Sequence, residues 1–230
     1  MTQPIVSFSV AAASAAIAGS ATRFPVRRIF CIGRNYAEHA AEMGASVDRG
    51  NPVFFCKPAD ALVADGADIP YPSATRELHH EVEMVIALHS GGVYITEADA
   101  LTHVFGYAVG LDLTRRDLQA IAKAKGMPWD TAKAFDHSAP LSAIRTASEI
   151  GHPQSAALTL EINGAMRQQA DIAQMIFSVP EILARLSRLF ELKAGDLVFT
   201  GTPAGVGPLM RGDAVQARLA GVAELRCRIA

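Results

Sequence analysis

Cysteine is scarce in this 230-residue chain: there are three, Cys31, Cys56 and Cys227, far apart and odd in number. That spacing fits neither a disulfide framework nor a zinc-ligand pattern, and it reads as three reduced core thiols in a cytoplasm. Charge of one sign is missing as well. The formal net charge is -2 and 19% of residues are charged, so no basic stripe exists to displace counterions from nucleic-acid phosphates. No apolar run approaches the roughly 20 residues that a membrane span requires. The Ala- and Ser-rich stretch Val6 to Ala21 is faintly like a secretory core. Met1 to Pro4 carries no Lys or Arg, however, and Ser7, Ser9 and Ser14 interrupt the run, which argues against a signal peptide. A Gly-Lys-Ser/Thr ending is absent, which excludes a P-loop, and without Gly-x-Ser-x-Gly an α/β-hydrolase nucleophile has no support.

What is present is a chain long enough for one substantial core, half of it hydrophobic. The expected organisation is a small N-terminal β extension over residues 1–25, with Ile5 to Val10 and Ala15 to Ala18 as strands, followed by a single catalytic domain over residues 26–230. Strand periodicity dominates, at Arg28 to Ile32, Val53 to Cys56, Leu78 to Leu88, Val104 to Leu111, Leu197 to Thr200, Ala214 to Leu219 and Val222 to Ile229. Asn163-Gly164 between Leu158 to Ile162 and Ala165 to Gln168 predicts a hairpin, because that pair tolerates the positive φ angles of a type I′ turn. Helices are few. Tyr36 to Met43 favours one; Thr96 with Asp99 and Thr114 with Asp117 have capping spacing. Ser178 with Glu181 and Pro180 opens another, whose Ile182, Leu183, Leu186, Leu189 and Phe190 form an apolar stripe of core type. No regular βαβα alternation exists, so a doubly wound sheet is disfavoured and the fold class is mainly β with short helices, α+β.

In the strand Leu78 to Leu88, alternation puts Leu78, Val82, Met84, Ile86 and Leu88 on one face and Glu81, Glu83, Val85 and Ala87 on the other. Two carboxylates on a face that turns apolar would repel each other and lose hydration unless a cation joined them. Asp112, at the end of Val104 to Leu111, is the natural third ligand for a hard ion such as Mg²⁺ or Mn²⁺. An exposed acidic strand end has the same spacing, so both readings stay open here. In a helix, His39 and Glu42 are i,i+3 neighbours, as a water-activating base and its orienting carboxylate would be, or as an ordinary surface pair would be. Pro128 to Asp136, with Trp129 and Lys133, reads as a lid or as a packed loop. The glycine-rich run Gly201 to Gly207 reads as a simple turn or as backbone approaching a small ligand.

Seven stretches between Arg27 and Pro208 then come in one family's order: RRIFCIGRNYAEHAAEMG, VFFCKPADALV, LHHEVEMVIAL, GYAVGLDLTRRDLQ, MPWDTAKAFD, MIFSVPEILARLS and GDLVFTGTPAGVGP. Together they closely resemble the fumarylacetoacetate hydrolase family, in particular its short acylpyruvate and fumarylpyruvate hydrolases. The resemblance implies a mixed β-sandwich roll of the family's C-terminal domain type, usually a homodimer, with one Mg²⁺ or Mn²⁺ held by Glu81, Glu83 and Asp112. It also implies a His39–Glu42 dyad, Lys133 on a lid over the substrate, and ligand contacts from Arg116, Gln119 and Thr202. Arg34 is a candidate for the distal carboxylate of fumarylpyruvate, or else a support for the turn at Gly33. The expected reaction is hydrolysis of a carbon–carbon bond in an acylpyruvate, fumarylpyruvate first, in aromatic catabolism. The rivals are oxaloacetate decarboxylation or general acylpyruvate hydrolysis at the same site, and a ligand-binding homologue without turnover. No nucleic-acid or membrane partner is expected.

Overall fold

The computed structural model describes residues 11–42, 44, 50 and 52–230; the expected strand Ile5 to Val10 and the helix end at Met43 lie outside them. The central element is a mixed eight-stranded sheet. Its order is Val53–Lys57, Arg28–Gly33, Asp196–Phe199, Val82–Leu88, Val104–Leu111, Ala139–Leu141 and Leu62–Ala64, with Arg145–Thr146 also pairing to Val104–Leu111. A five-stranded sheet, ordered Ala165–Asp171, Ala157–Ile162, Ala214–Leu219, Ala223–Ile229 and Asp68–Ile69, packs over the two central strands Val82–Leu88 and Val104–Leu111. The fold is thus mainly β with few short helices, as expected, and no described helix is long and apolar enough to cross a membrane.

Side-chain alternation decides what each face of the central sheet does. Val82, Met84, Ile86 and Leu88 join Leu158, Leu160, Val215, Ala217 and Leu225 in the core between the two sheets. Each such Val, Leu, Ile or Met side chain contributes about 1.5–3 kcal/mol of burial free energy. Val85 and Ala87 point the other way, into a second core with Ile29, Cys31, Leu197 and Phe199. That second core is closed by Ala15 and Phe24 of an antiparallel ribbon, Ser14–Ala16 with Arg23–Pro25. The Asn163-Gly164 hairpin forms as expected, with φ of 51° and 78° at the two turn residues.

Several local expectations are corrected. The stretch Leu78 to Leu88 is two strands rather than one, because the chain leaves one sheet and enters another at Glu81. Leu78–His80 belongs to a three-stranded sheet with Thr114–Arg115 and Gly207–Pro208, whereas Val82–Leu88 belongs to the central one. Thr114 caps no helix. It is itself in a strand, the Arg116–Lys125 helix begins without a side-chain cap, and Asp117 accepts instead from the Thr75 hydroxyl at 2.5 Å. The Val179–Leu189 helix buries Ile182, Leu183 and Leu186, but Leu189 and Phe190 at its end are exposed because the chain turns away there. All three cysteines are free, yet Cys56 is exposed, since it lies on the outer face of an edge strand whose Lys57 points inward.

Candidate metal centre and catalytic pocket

Register on the central sheet gathers the acids. Val82 pairs with Leu111 and Glu83 with Gly110, and just beyond the pairing the Asp112 N–H donates to the Glu81 carbonyl at 2.9 Å. One oxygen from each of Glu81, Glu83 and Asp112 lies within 4.8 Å of the others, and all three residues are buried. The face expected from alternation therefore carries the acids, and it is no exposed strand end. Their environments differ. Burial pushes the Glu81 carboxyl up, but Lys133, Arg116 and His39 outweigh it and hold that carboxyl well below the usual range. Burial, then Asp112 and Glu81, push the Glu83 carboxyl well above it, with the Gly201 N–H at 2.7 Å as partial compensation.

The basic groups around the triad are buried too. Lys133 ends the short Asp130–Lys133 helix, and its ammonium donates to Glu81 at 2.8 Å, Asp112 at 2.7 Å and the Thr114 hydroxyl at 2.6 Å. The segment that carries Lys133 is exposed at Pro128, Asp130 and Thr131, yet it delivers this one buried charge into the acids. Lys57 was missed by the sequence reading. Its ammonium lies 2.8 Å from Asp112 and donates to the Leu113 carbonyl at 3.1 Å and to the Lys133 carbonyl, so it ties strand and loop together. The sequence clue was a lysine on the same strand face as Phe55, next to Pro58. Losing one partner of a buried ion pair costs about 3–5 kcal/mol. Because Asp112 keeps Lys133, Lys57→Met is expected to lower stability by about 3 kcal/mol, which urea unfolding of the chelated protein checks.

His39 and Glu42 sit on the Ala37–Glu42 helix, and the structure brings them together: Nδ1 to the carboxylate is 3.3 Å. His39 is buried, and Glu42 also receives the Gly205 N–H at 3.3 Å. The helix is placed by Asn35. Its side-chain amide donates to the Thr200 carbonyl at 2.7 Å and the Phe177 carbonyl at 3.0 Å, while its oxygen accepts from Phe177 N–H at 2.7 Å. Gly201 lets this happen. It has φ of 92°, and a Cβ there would lie 2.6 Å from that of Asn35, so only glycine admits so close an approach. Arg34, one residue earlier, holds φ of 61°, a conformation costing a non-glycine residue about 1–3 kcal/mol.

One open cavity is lined by nine of the ten residues singled out in the sequence: Arg34, His39, Glu81, Glu83, Asp112, Arg116, Gln119, Lys133 and Thr202. Glu42 stands behind His39. Arg116 donates to Glu81 at 2.5 Å and to the Gln119 side chain. Its Nε also faces His79 at 3.4 Å, and burial, Arg116 and His80 pull that imidazole down to about 4, so it is neutral and accepts. Thr202 accepts from Gln168 at 2.8 Å. Trp129 of the candidate lid segment lines the cavity too, and lining residues not foreseen include Phe55 and Lys123.

Three buried carboxylates converging on a space too small for three separate hydration shells have the chemistry of a divalent hard-cation site. Glu83, the one acid without a cationic contact, is the group whose charge such an ion relieves. Ligation requires Glu83 ionised, and because its carboxyl is raised by burial, Asp112 and Glu81, the ion competes with a proton there and apparent affinity is expected to climb with pH. Titration calorimetry of Mn²⁺ in buffers of different ionisation enthalpy checks this; heats independent of the buffer would refute it.

The protein is 49% identical to fumarylpyruvate hydrolase from Pseudomonas aeruginosa, whose crystal structure contains Mn²⁺ and pyruvate. That match covers 99% of both chains with a TM-score of 0.96. It is 42% identical over 203 residues to the mitochondrial oxaloacetate tautomerase FAHD1 of Mus musculus, covering 88% of this chain and 91% of that protein. It is 44% identical over 196 residues to the oxaloacetate tautomerase YcgM of Escherichia coli (strain K12), covering 85% and 89% respectively. Residues 28–230 match the fumarylacetoacetate (FAA) hydrolase C-terminal family, and the chain belongs to the fumarylacetoacetate hydrolase family.

Proposed function

We propose that this protein hydrolyses the carbon–carbon bond of an acylpyruvate, with fumarylpyruvate as preferred substrate and fumarate and pyruvate as products. Glu81, Glu83 and Asp112 would hold the required Mg²⁺ or Mn²⁺. The observation that carries this reading is an imidazole tethered to a carboxylate, His39 to Glu42, lining the same cavity as the buried acids. When bound, the cation supplies Lewis acidity toward the ketoacid end of the substrate. Glu42 at Nδ1 selects the tautomer whose lone pair is on Nε2, and that nitrogen takes a proton from water. The water oxygen bonds to the distal carbonyl carbon, and the bond from that carbon to the pyruvyl methylene then breaks. The electron pair leaves as the pyruvate enolate, which recovers the proton. Lys133 offers fixed positive charge to the developing oxyanion, since its ammonium is already oriented by Glu81, Asp112 and Thr114.

Oxaloacetate chemistry is the second reading, favoured by the two tautomerases at 42% and 44% identity. Likeness to the Pseudomonas protein, 49% identical over 99% of both chains with a TM-score of 0.96, supports the hydrolase. The test is purified protein with Mn²⁺ or Mg²⁺ presented with fumarylpyruvate, acetylpyruvate, fumarylacetoacetate and oxaloacetate. Equimolar fumarate and pyruvate from the first supports the proposal. Rapid turnover of oxaloacetate with no cleavage of either acylpyruvate would replace it with the second reading.

A further inference from the structure

We propose that Lys123 and Arg34 form a carboxylate-reading wall at the far end of the cavity, so that the protein selects acylpyruvates whose acyl group itself ends in a carboxylate. This deepens the hydrolase reading and rests on it for the identity of the reacting end. The argument starts from the Arg116–Lys125 helix. Arg116, Gln119 and Lys123 follow at i, i+3 and i+7, one stripe of a helix, and all three line the cavity. Arg116 is anchored at the acidic end through Glu81. Seven residues at 1.5 Å each place Lys123 roughly 10 Å further along the axis. A seven-carbon diacid has six backbone bonds of about 1.5 Å, so when extended it reaches about 7–8 Å between its carboxyl carbons, which suits the two ends of this stripe.

The charges point the same way. Lys57, Lys133 and Arg116 each pair with the buried acids, whereas neither Lys123 nor Arg34 has an ion-pair partner among the described residues. Arg34, Arg116 and Lys123 line one cavity, and partial burial, then Arg34 and Arg116, pull the Lys123 ammonium below its ordinary value. Lys123 is exposed and Arg34 half-buried, so water solvates both charges until an anion enters. Arg34 stands on a strained backbone, as residues that must aim a side chain often do. A lysine in a last helical turn also complements the helix dipole, but Lys125 meets that need without lining the cavity.

The test compares fumarylpyruvate with acetylpyruvate, which has the same ketoacid end and an uncharged methyl at the other. With Mn²⁺ present, Lys123→Met and Arg34→Gln are each expected to lower the kcat/KM preference for fumarylpyruvate by about 10- to 100-fold, the loss lying mainly in KM, as for a charge-assisted hydrogen bond. Lys123→Arg is expected to restore most of it. An unchanged preference in both charge-removing variants would overturn the proposal. A second arm needs no turnover: calorimetric titration of the Mn²⁺-loaded protein with fumarate and with crotonate, its monocarboxylate counterpart. Tighter fumarate binding that Lys123→Met erases supports the wall, and a fumarate preference that survives the substitution refutes it. Failure to cleave either acylpyruvate would instead sink the hydrolase reading, and the binding arm would still decide the wall.

Discussion

Glu83→Gln is expected to abolish tight cation binding and to lower turnover at least 100-fold while leaving the folded protein intact. The reason lies in what surrounds this side chain. It is buried, it has Asp112 and Glu81 as like-charged neighbours, and its favourable contact is the Gly201 N–H. In the fold its carboxyl is therefore raised, whereas in the unfolded chain it titrates in the ordinary range. Between those two values the folded state holds a proton that the unfolded state has released. Cation-free wild-type protein accordingly loses stability as pH rises through that window, and Glu83→Gln removes that loss. With Mn²⁺ at 100 times its dissociation constant, binding stabilises the wild type by about 2.7 kcal/mol, a gain the variant should lack. Thermal melts with and without Mn²⁺, together with a direct Mn²⁺ titration, check both halves. A variant that still gained stability from the ion would show that Glu83 is not a ligand.

His39→Ala has the opposite profile: about a 100- to 10,000-fold loss of turnover with cation affinity nearly unchanged, because a base acts on water and the acids alone grip the ion. Glu42→Gln should cost less, since it leaves the imidazole in place and alters its orientation and basicity. Single-turnover cleavage of fumarylpyruvate by Mn²⁺-loaded variants, set beside their Mn²⁺ affinities, separates these roles. Wild-type cleavage by His39→Ala would end the dyad proposal, and loss of the ion in that variant would point to a collapsed pocket instead. Asn35 makes such a collapse less of a concern, for its three bonds to Phe177 and Thr200 hold the turn before the helix independently of His39.

Much of this site was legible from the chain because it is built from short-range patterns. The two-residue period of a strand put Glu81 and Glu83 on one face, and the helical period paired His39 with Glu42. The Asn163-Gly164 turn likewise declares its own φ angles. Where local pattern misled, a distant partner had intervened. Asp117 has capping spacing from Thr114 but bonds to Thr75 and Arg76 instead. The burial of Lys133 depends on the approach of Lys57, 76 positions away, which donates to its carbonyl. Lys57 itself carries no motif, and only the approach of its strand to Asp112 gives it a purpose.

By itself the sequence determined the β-rich class, the faces of the strands, the turn types and the acids, base and cations available for chemistry, since each follows from dihedral preference or from the period of side-chain direction. Tertiary structure alone decided which of those groups meet. Bringing Arg28–Gly33 parallel to Asp196–Phe199, and Glu83 to the N–H of Gly201, joins segments more than 100 residues apart. Such pairings are chosen by the shape and burial of the whole core, which no local period encodes.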